Sequence, residues 1–106
     1  MKKPWLHILL ALATEDRYGS AIQEEVRALS GGEVRLWPAT LYGSFEELLE
    51  AGWIRQLDEH EQPGGAGGRE RYYRITPSGR AALSAEARRF DAMAHTVRTR
   101  LGEESV

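Results

Sequence analysis

The stretch Trp37-Pro38-Ala39-Thr40-Leu41-Tyr42-Gly43-Ser44-Phe45-Glu46-Glu47-Leu48-Leu49-Glu50-Ala51-Gly52 decides the fold of this chain. Proline at a first helical position loses nothing by lacking an amide hydrogen, and its fixed φ suits the helix. Leu41, Phe45, Leu48 and Leu49 then recur at helical spacing as one apolar stripe, and Gly52 stops the pattern. The expectation is a helix from Pro38 to Ala51 that buries one face.

Working upstream, Glu33 to Trp37 is too short for more than an extended connection or a minimal strand. Before it, Ile22, Val26 and Leu29 recur at helical spacing and Gly31-Gly32 ends the run, which predicts a helix from about Ser20 to Ser30. Asp16 to Ser20 carries turn chemistry. Pro4 to Ala13 is apolar almost all round, so it reads as a buried first helix. Downstream, Trp53 to Asp58 and Arg71 to Thr76 are strand-like, and the polar, glycine-rich tract His60 to Gly68 between them predicts a hairpin with a long tip. Thr76 supplies a capping hydroxyl and Pro77 a first turn for a last helix that runs to about Leu101.

Three helices, a β-hairpin and a long terminal helix give a mainly α fold with a small β-hairpin, in the order of a winged helix-turn-helix followed by a dimerisation helix. The division expected is positions 1–76 for the winged helix-turn-helix and 77–106 for the dimerisation helix and tail. Its 106 residues are one domain's worth. Without cysteine there are no disulfides or thiolate metal sites, and a reducing cytoplasm suits the composition. No run approaches the roughly 18 apolar residues of a membrane span, so a soluble, unexported, cytoplasmic chain is expected.

Function classes narrow in the same way. His7, His60 and His95 fall on an apolar helix, a loop and the terminal helix, with no nucleophile, metal-ligand or phosphate-loop pattern around them. Neither catalysis nor a cofactor or metal is expected. The 14 Lys+Arg against 16 Asp+Glu leave a net charge of −2, so any affinity for a polyanion must be local. Arg69, Arg71, Arg74 and Arg80 are bunched, whereas Glu46, Glu47 and Glu50 are gathered on the third helix.

Three blocks carry a resemblance. Trp37 to Phe45, continued by Leu48, Gly52 and Ile54, resembles the third-helix signature of PadR-type regulators, with Ala39 where glycine is usual. Arg69 to Arg80 (RERYYRITPSGR) resembles that family's wing return strand and fourth-helix start, and Tyr18-Gly19-Ser20-Ala21-Ile22 a shorter block on the second helix, with Ser20 where tyrosine is usual. The resemblance covers essentially the whole chain. It implies a homodimeric transcriptional regulator, a repressor of palindromic double-stranded DNA, relieved by a small aromatic ligand near the dimer interface.

Such a fold enters the major groove by the first turns of its third helix. Ala39, Thr40, Tyr42, Gly43 and Ser44 are therefore the expected readers, with Tyr18 and the wing residues Arg69, Arg71 and Arg74 on the backbone. Tyr42 packing on the second helix, and wing arginines that only guard a sheet edge, are the plainer readings of the same residues. Glu46 and Glu47 read as a solvated face that repels phosphate, or, for Glu47, as an acceptor for cytosine N4. An acidic third helix would also suit a protein-binding adaptor that docks a basic partner. On the last helix Leu83, Ala87, Phe90, Ala94, Val97 and Leu101 alternate spacings of four and three, a heptad seam that asks for a second copy, with Leu6 of the first helix joining it. Folding back over its own domain is the alternative. Trp5, Phe90 and Met93 suit a planar apolar ligand, or a plain core.

Overall fold

The computed structural model describes residues 1–63 and 70–103. Four helices and three short strands follow in the order α1 (Lys3–Leu12), β1 (Arg17–Tyr18), α2 (Gly19–Leu29), α3 (Pro38–Ala51), β2 (Ile54–Gln56), β3 (Tyr72–Ile75) and α4 (Pro77–Leu101). The decisive helix has the bounds its sequence predicts. Pro38 sits in its first turn, and Gly52 closes it at φ 76°, with Trp53 N–H donating to the Leu48 carbonyl at 3.0 Å.

Burial follows the apolar periodicity. Leu41, Phe45 and Leu48 of α3 meet Ile8, Leu9 and Leu12 of α1 and Ile22 and Val26 of α2, and the sheet closes the core with Ile54, Tyr73 and Ile75. Phe45 lies fully inside and stacks on Tyr73 with ring centroids 4.5 Å apart. Leu36 is buried too, which fixes the connection between α2 and α3.

The sheet holds one element that the sequence reading misses. Asp16 to Ser20 is expected as a turn, yet Arg17 and Tyr18 form β1, pairing antiparallel with Tyr73 and Tyr72 so that the sheet order is β1-β3-β2. Two residues show no periodicity, and their partners lie far along the chain. Arg17 holds the new strand in place by donating to the Ala11 carbonyl at 2.7 Å and to Glu25 at 2.8 Å. The hairpin is as expected at its base, with Ile54 opposite Ile75 and Gln56 opposite Tyr73. Its glycine-rich tip lies outside the described residues.

At Thr76 the hairpin becomes α4. The Thr76 hydroxyl donates to the Gly52 carbonyl at 2.6 Å and accepts from Gly79 N–H at 3.0 Å, while its own N–H donates to the Trp53 carbonyl at 3.0 Å. This is the N-cap read from the sequence, here also tied to the end of α3. Gly79 makes the approach possible, because a Cβ there would lie 2.1 Å from the Trp53 carbonyl oxygen.

Beyond this junction α4 leaves the body. It contacts α1 and β3 near its start, and the molecule extends 56 Å along its longest axis against 27 and 23 Å across it. Leu83, at the start of the expected seam, packs half-buried against the chain's own core. Phe90, Met93, Val97 and Leu101 remain 51%, 63%, 48% and 65% exposed, so this part of the helix does not fold back over its own domain. Glu86 is the buried charge on α4; its carboxylate accepts from the Met1 ammonium at 2.8 Å and from Arg89 Nε at 2.6 Å. Those hydrogen bonds, the first from the ammonium, hold its pKa below the usual value.

Gly79→Ala sets two effects against each other. Alanine gains about 1 kcal/mol of helix propensity, whereas overpacking costs about 1–3 kcal/mol or more. A contact against rigid backbone should decide the sign, and a fall in melting temperature of several degrees is expected by calorimetry. An unchanged or raised melting point would show that α4 does not depend on this close approach.

Candidate nucleic-acid interface

On α3 the 3.6-residue period puts Ala39, Tyr42, Gly43 and Glu46 on the side away from the Leu41, Phe45 and Leu48 stripe. Ala39, Thr40 and Tyr42 are exposed and Gly43 is half-buried. Ser44 is turned inward and only 5% exposed, so it cannot read a base edge as expected; it shares the core side with Leu41 and Leu48. Tyr42 is held by its ring, edge-on to Phe45 at 5.8 Å, while 57% of the residue stays in solvent. It therefore packs and presents its hydroxyl at once.

A groove of about 380 Å³ opens beside Tyr42. Its walls are the start of α2 with Tyr18, Gly19 and Ser20, and the wing strand with Arg71 and Tyr73. Tyr18 is braced edge-on against Tyr72 at 5.4 Å. Burial raises the Tyr73 pKa, with the nearby Arg71 acting against it. The phenols of Tyr18, Tyr42 and Tyr73, a serine and the exposed Arg71 thus line one cleft at the edge of α3, a set that suits a phosphate strand, with exposed Glu70 as the one carboxylate among the groove's described lining residues. Ser20 is the addition here, because its only signal in the sequence is a departure from the family pattern.

Charges sort differently from their order in the chain. Glu47 accepts from Lys2 Nζ at 2.8 Å and from Trp5 Nε1 at 3.1 Å, and these bonds lower its pKa. It serves as a clamp between α3 and the start of α1. Glu46 and Glu50 stay exposed. Arg74 is likewise drawn inward: its guanidinium meets Asp16 at 3.0 and 2.8 Å and Glu61 at 3.5 Å, so phosphate would have to compete with two carboxylates. Arg69 lies outside the described residues.

The aromatic set expected to hold a ligand is not gathered within one chain. Trp5 is engaged edge-on with Trp53 at 5.4 Å, whereas Phe90 and Met93 lie open on α4. Among the described residues no group of three or more His, Cys, Asp or Glu could hold a metal ion, and no helix is long and apolar enough to cross a membrane.

Helices α2 and α3, the β2-β3 hairpin and the exposed face of α3 define a winged helix-turn-helix of the DNA-binding class. The chain belongs to the transcriptional regulator PadR-like family, whose model matches residues 8–85. It is 35% identical over 92 residues to the transcriptional regulator Rv3488 of Mycobacterium tuberculosis, covering 87% of this chain and 79% of that protein. It is also 36% identical over 80 residues to an uncharacterised 37.1 kDa protein in transposon TN4556 of Streptomyces fradiae, covering 76% of this chain but only 21% of that longer protein. A transcriptional regulator from Clostridium thermocellum superposes with a TM-score of 0.75 at 25% identity, over 91% of this chain and 87% of that one.

The base of the wing carries a pH dependence. Arg55, through hydrogen bonds of 2.8 and 2.5 Å, and then the Asp58 N–H lower the Glu61 pKa from 4.5 to about 2. A depressed carboxylate pKa contributes stability above its unfolded value that is lost as pH falls through the folded one. Between pH 4.5 and about 2 the parent should therefore lose thermal stability faster than Glu61→Gln. Parallel melting curves across that window would show that the pair contributes nothing.

Proposed function

We propose that this chain is a DNA-binding transcriptional regulator that acts in the cytoplasm as a homodimeric repressor of a palindromic operator. The observation that carries the reading is the juxtaposition of the exposed first turns of α3 with the groove of Tyr18, Ser20, Tyr42 and Arg71. Thr40 offers a hydroxyl to base edges, Ala39 a methyl for thymine, and Gly43 a close backbone approach. Tyr42, Tyr18 and Arg71 take the flanking phosphates, joined by Arg69 from the wing. Residues 1–76 form the DNA-binding unit, and 77–106 supply the dimerisation helix and tail.

Ala87, Phe90, Ala94, Val97 and Leu101, continuing from Leu83, form the strip that a second copy covers, with Leu6 of α1 joining it in the dimer. Large apolar side chains in such a row, each about half exposed or more, point to association. A two-fold dimer then presents two α3 helices to two half-sites. Met93, Phe90 and the Trp5 side of α1 would enclose a small planar aromatic effector only once two copies meet. Exposed Glu46 and Glu50 favour one second reading, in which α3 docks a basic protein.

Two measurements separate these readings. In a mobility-shift assay on the DNA upstream of its own gene, Arg71→Ala should weaken binding about tenfold and reduce the slope of log affinity against log salt by about one. Absence of any salt-sensitive retention of DNA by the parent would favour the adaptor. By analytical ultracentrifugation the parent should sediment as a dimer, and Phe90→Glu with Val97→Glu as a folded monomer with lost DNA affinity. A monomeric parent would remove the dimer.

A further inference from the structure

Ser20, Gln23, Glu24 and Arg27 recur on one face of α2, spaced three, one and three apart. Arg35 and Trp37 stand across from them, and together they line a second groove of about 390 Å³ on the other side of the α3 N-terminus. Ser20 lines both grooves and stands between them. In contrast to Trp5 and Trp53, which engage each other, Trp37 is 63% exposed. The Arg35 guanidinium lies over its ring, 5.5 Å from the centroid.

This platform is held from below. Leu36, between Arg35 and Trp37, is buried, and the Gln23 side-chain amide donates to its carbonyl. Trp37 is extended at φ −69° and ψ 152°, as a residue before proline must be. The two flanking side chains are thereby directed outward by a buried residue and a proline. A flat indole in one groove with two cations, Arg35 over its ring and Arg27 on α2, suits neither an apolar protein surface, which would strand the guanidinia, nor a small anion, which has no use for the indole. A nucleic-acid strand offers phosphates at regular intervals with apolar sugar faces between them.

We infer that this groove is a second anchor for DNA, indifferent to base sequence, in which Arg27 and Arg35 take phosphates of one strand and Trp37 packs on the sugar between them. The inference rests on the DNA-binding reading above and extends its footprint from the wing side of α3 to the α2 side. Glu24 lines the same groove and opposes the phosphates.

Fluorescence anisotropy of the full chain on a labelled duplex from its own upstream region, and on a random duplex of equal length, tests it between about 50 and 200 mM salt. Trp37→Ser should lower affinity for both duplexes by about three- to tenfold with the salt slope unchanged, since an apolar contact releases no counterion. Arg35→Ala and Arg27→Ala should each weaken binding and reduce the slope by about one, and Glu24→Gln should tighten it. DNA should also quench the tryptophan emission of the parent, and less so in Trp37→Phe. Should Trp37→Ser or Trp37→Phe melt early, Arg35→Ala decides the matter, being a surface change. Normal binding by Arg35→Ala and Trp37→Ser, alongside weakened binding by Arg71→Ala, would overturn the second anchor and leave the DNA reading intact. A parent that retains neither duplex overturns both.

Discussion

The carbonyls of Gly52 and Trp53 receive the hydroxyl and the amide of Thr76, and the missing side chain of Gly79 lets the last helix close over them. Everything that α4 can do follows from this contact. It joins the end of α3, which carries the exposed face, to the start of the helix that carries the unpaired apolar strip. The two helix ends are tied to each other by these two hydrogen bonds and the close approach at Gly79.

Electrostatics are organised by the same kind of short contact. A net charge of −2 argues against a polyanion partner only if the carboxylates face it. Several do not. Glu47 clamps Lys2 and Trp5, Asp16 and Glu61 hold Arg74, Glu25 holds Arg17, and Glu86 is buried against Met1 and Arg89. Exposed Arg71, Arg27 and Arg35 remain on the grooves beside α3, with Glu70 and Glu24 lining the same grooves and Glu46 and Glu50 exposed on α3. The local sign of the surface is set by which acids are used internally.

Much of the fold is legible in the sequence because its signals are local. Pro38 and Gly52 bracket α3, Thr76 and Pro77 start α4, and apolar residues at helical spacing name the core faces of α2 and α3. Candidate readers are legible to the extent that the period names the side away from the core: Ala39 and Tyr42 lie on it, and Thr40 is exposed on its other flank. Ser44 escapes this logic when its place within the first turns is weighed above its angle around the helix, which is nearer to Leu41 and Leu48 than to Tyr42. Trp37 reads in sequence only as the mark of a helix boundary. Its exposure depends on Leu36 going inward, a fact of packing.

By itself, the sequence determined the helices, their ends, the hairpin and the family, since each is written in residues within a few turns of one another. Tertiary structure alone decided that Arg17 and Tyr18 become a strand, that Glu47 and Arg74 are held by partners far along the chain, and that Leu83 serves the core while Phe90 to Leu101 stay open. The reason is range. A cap or a period is felt along a few residues of backbone, whereas a ladder partner, an ion pair or a covered face exists only once distant segments have been brought together. The stretch from Trp37 to Gly52 shows both: its helix was fixed locally, and its division into core, clamp and exposed face was fixed by what folds around it.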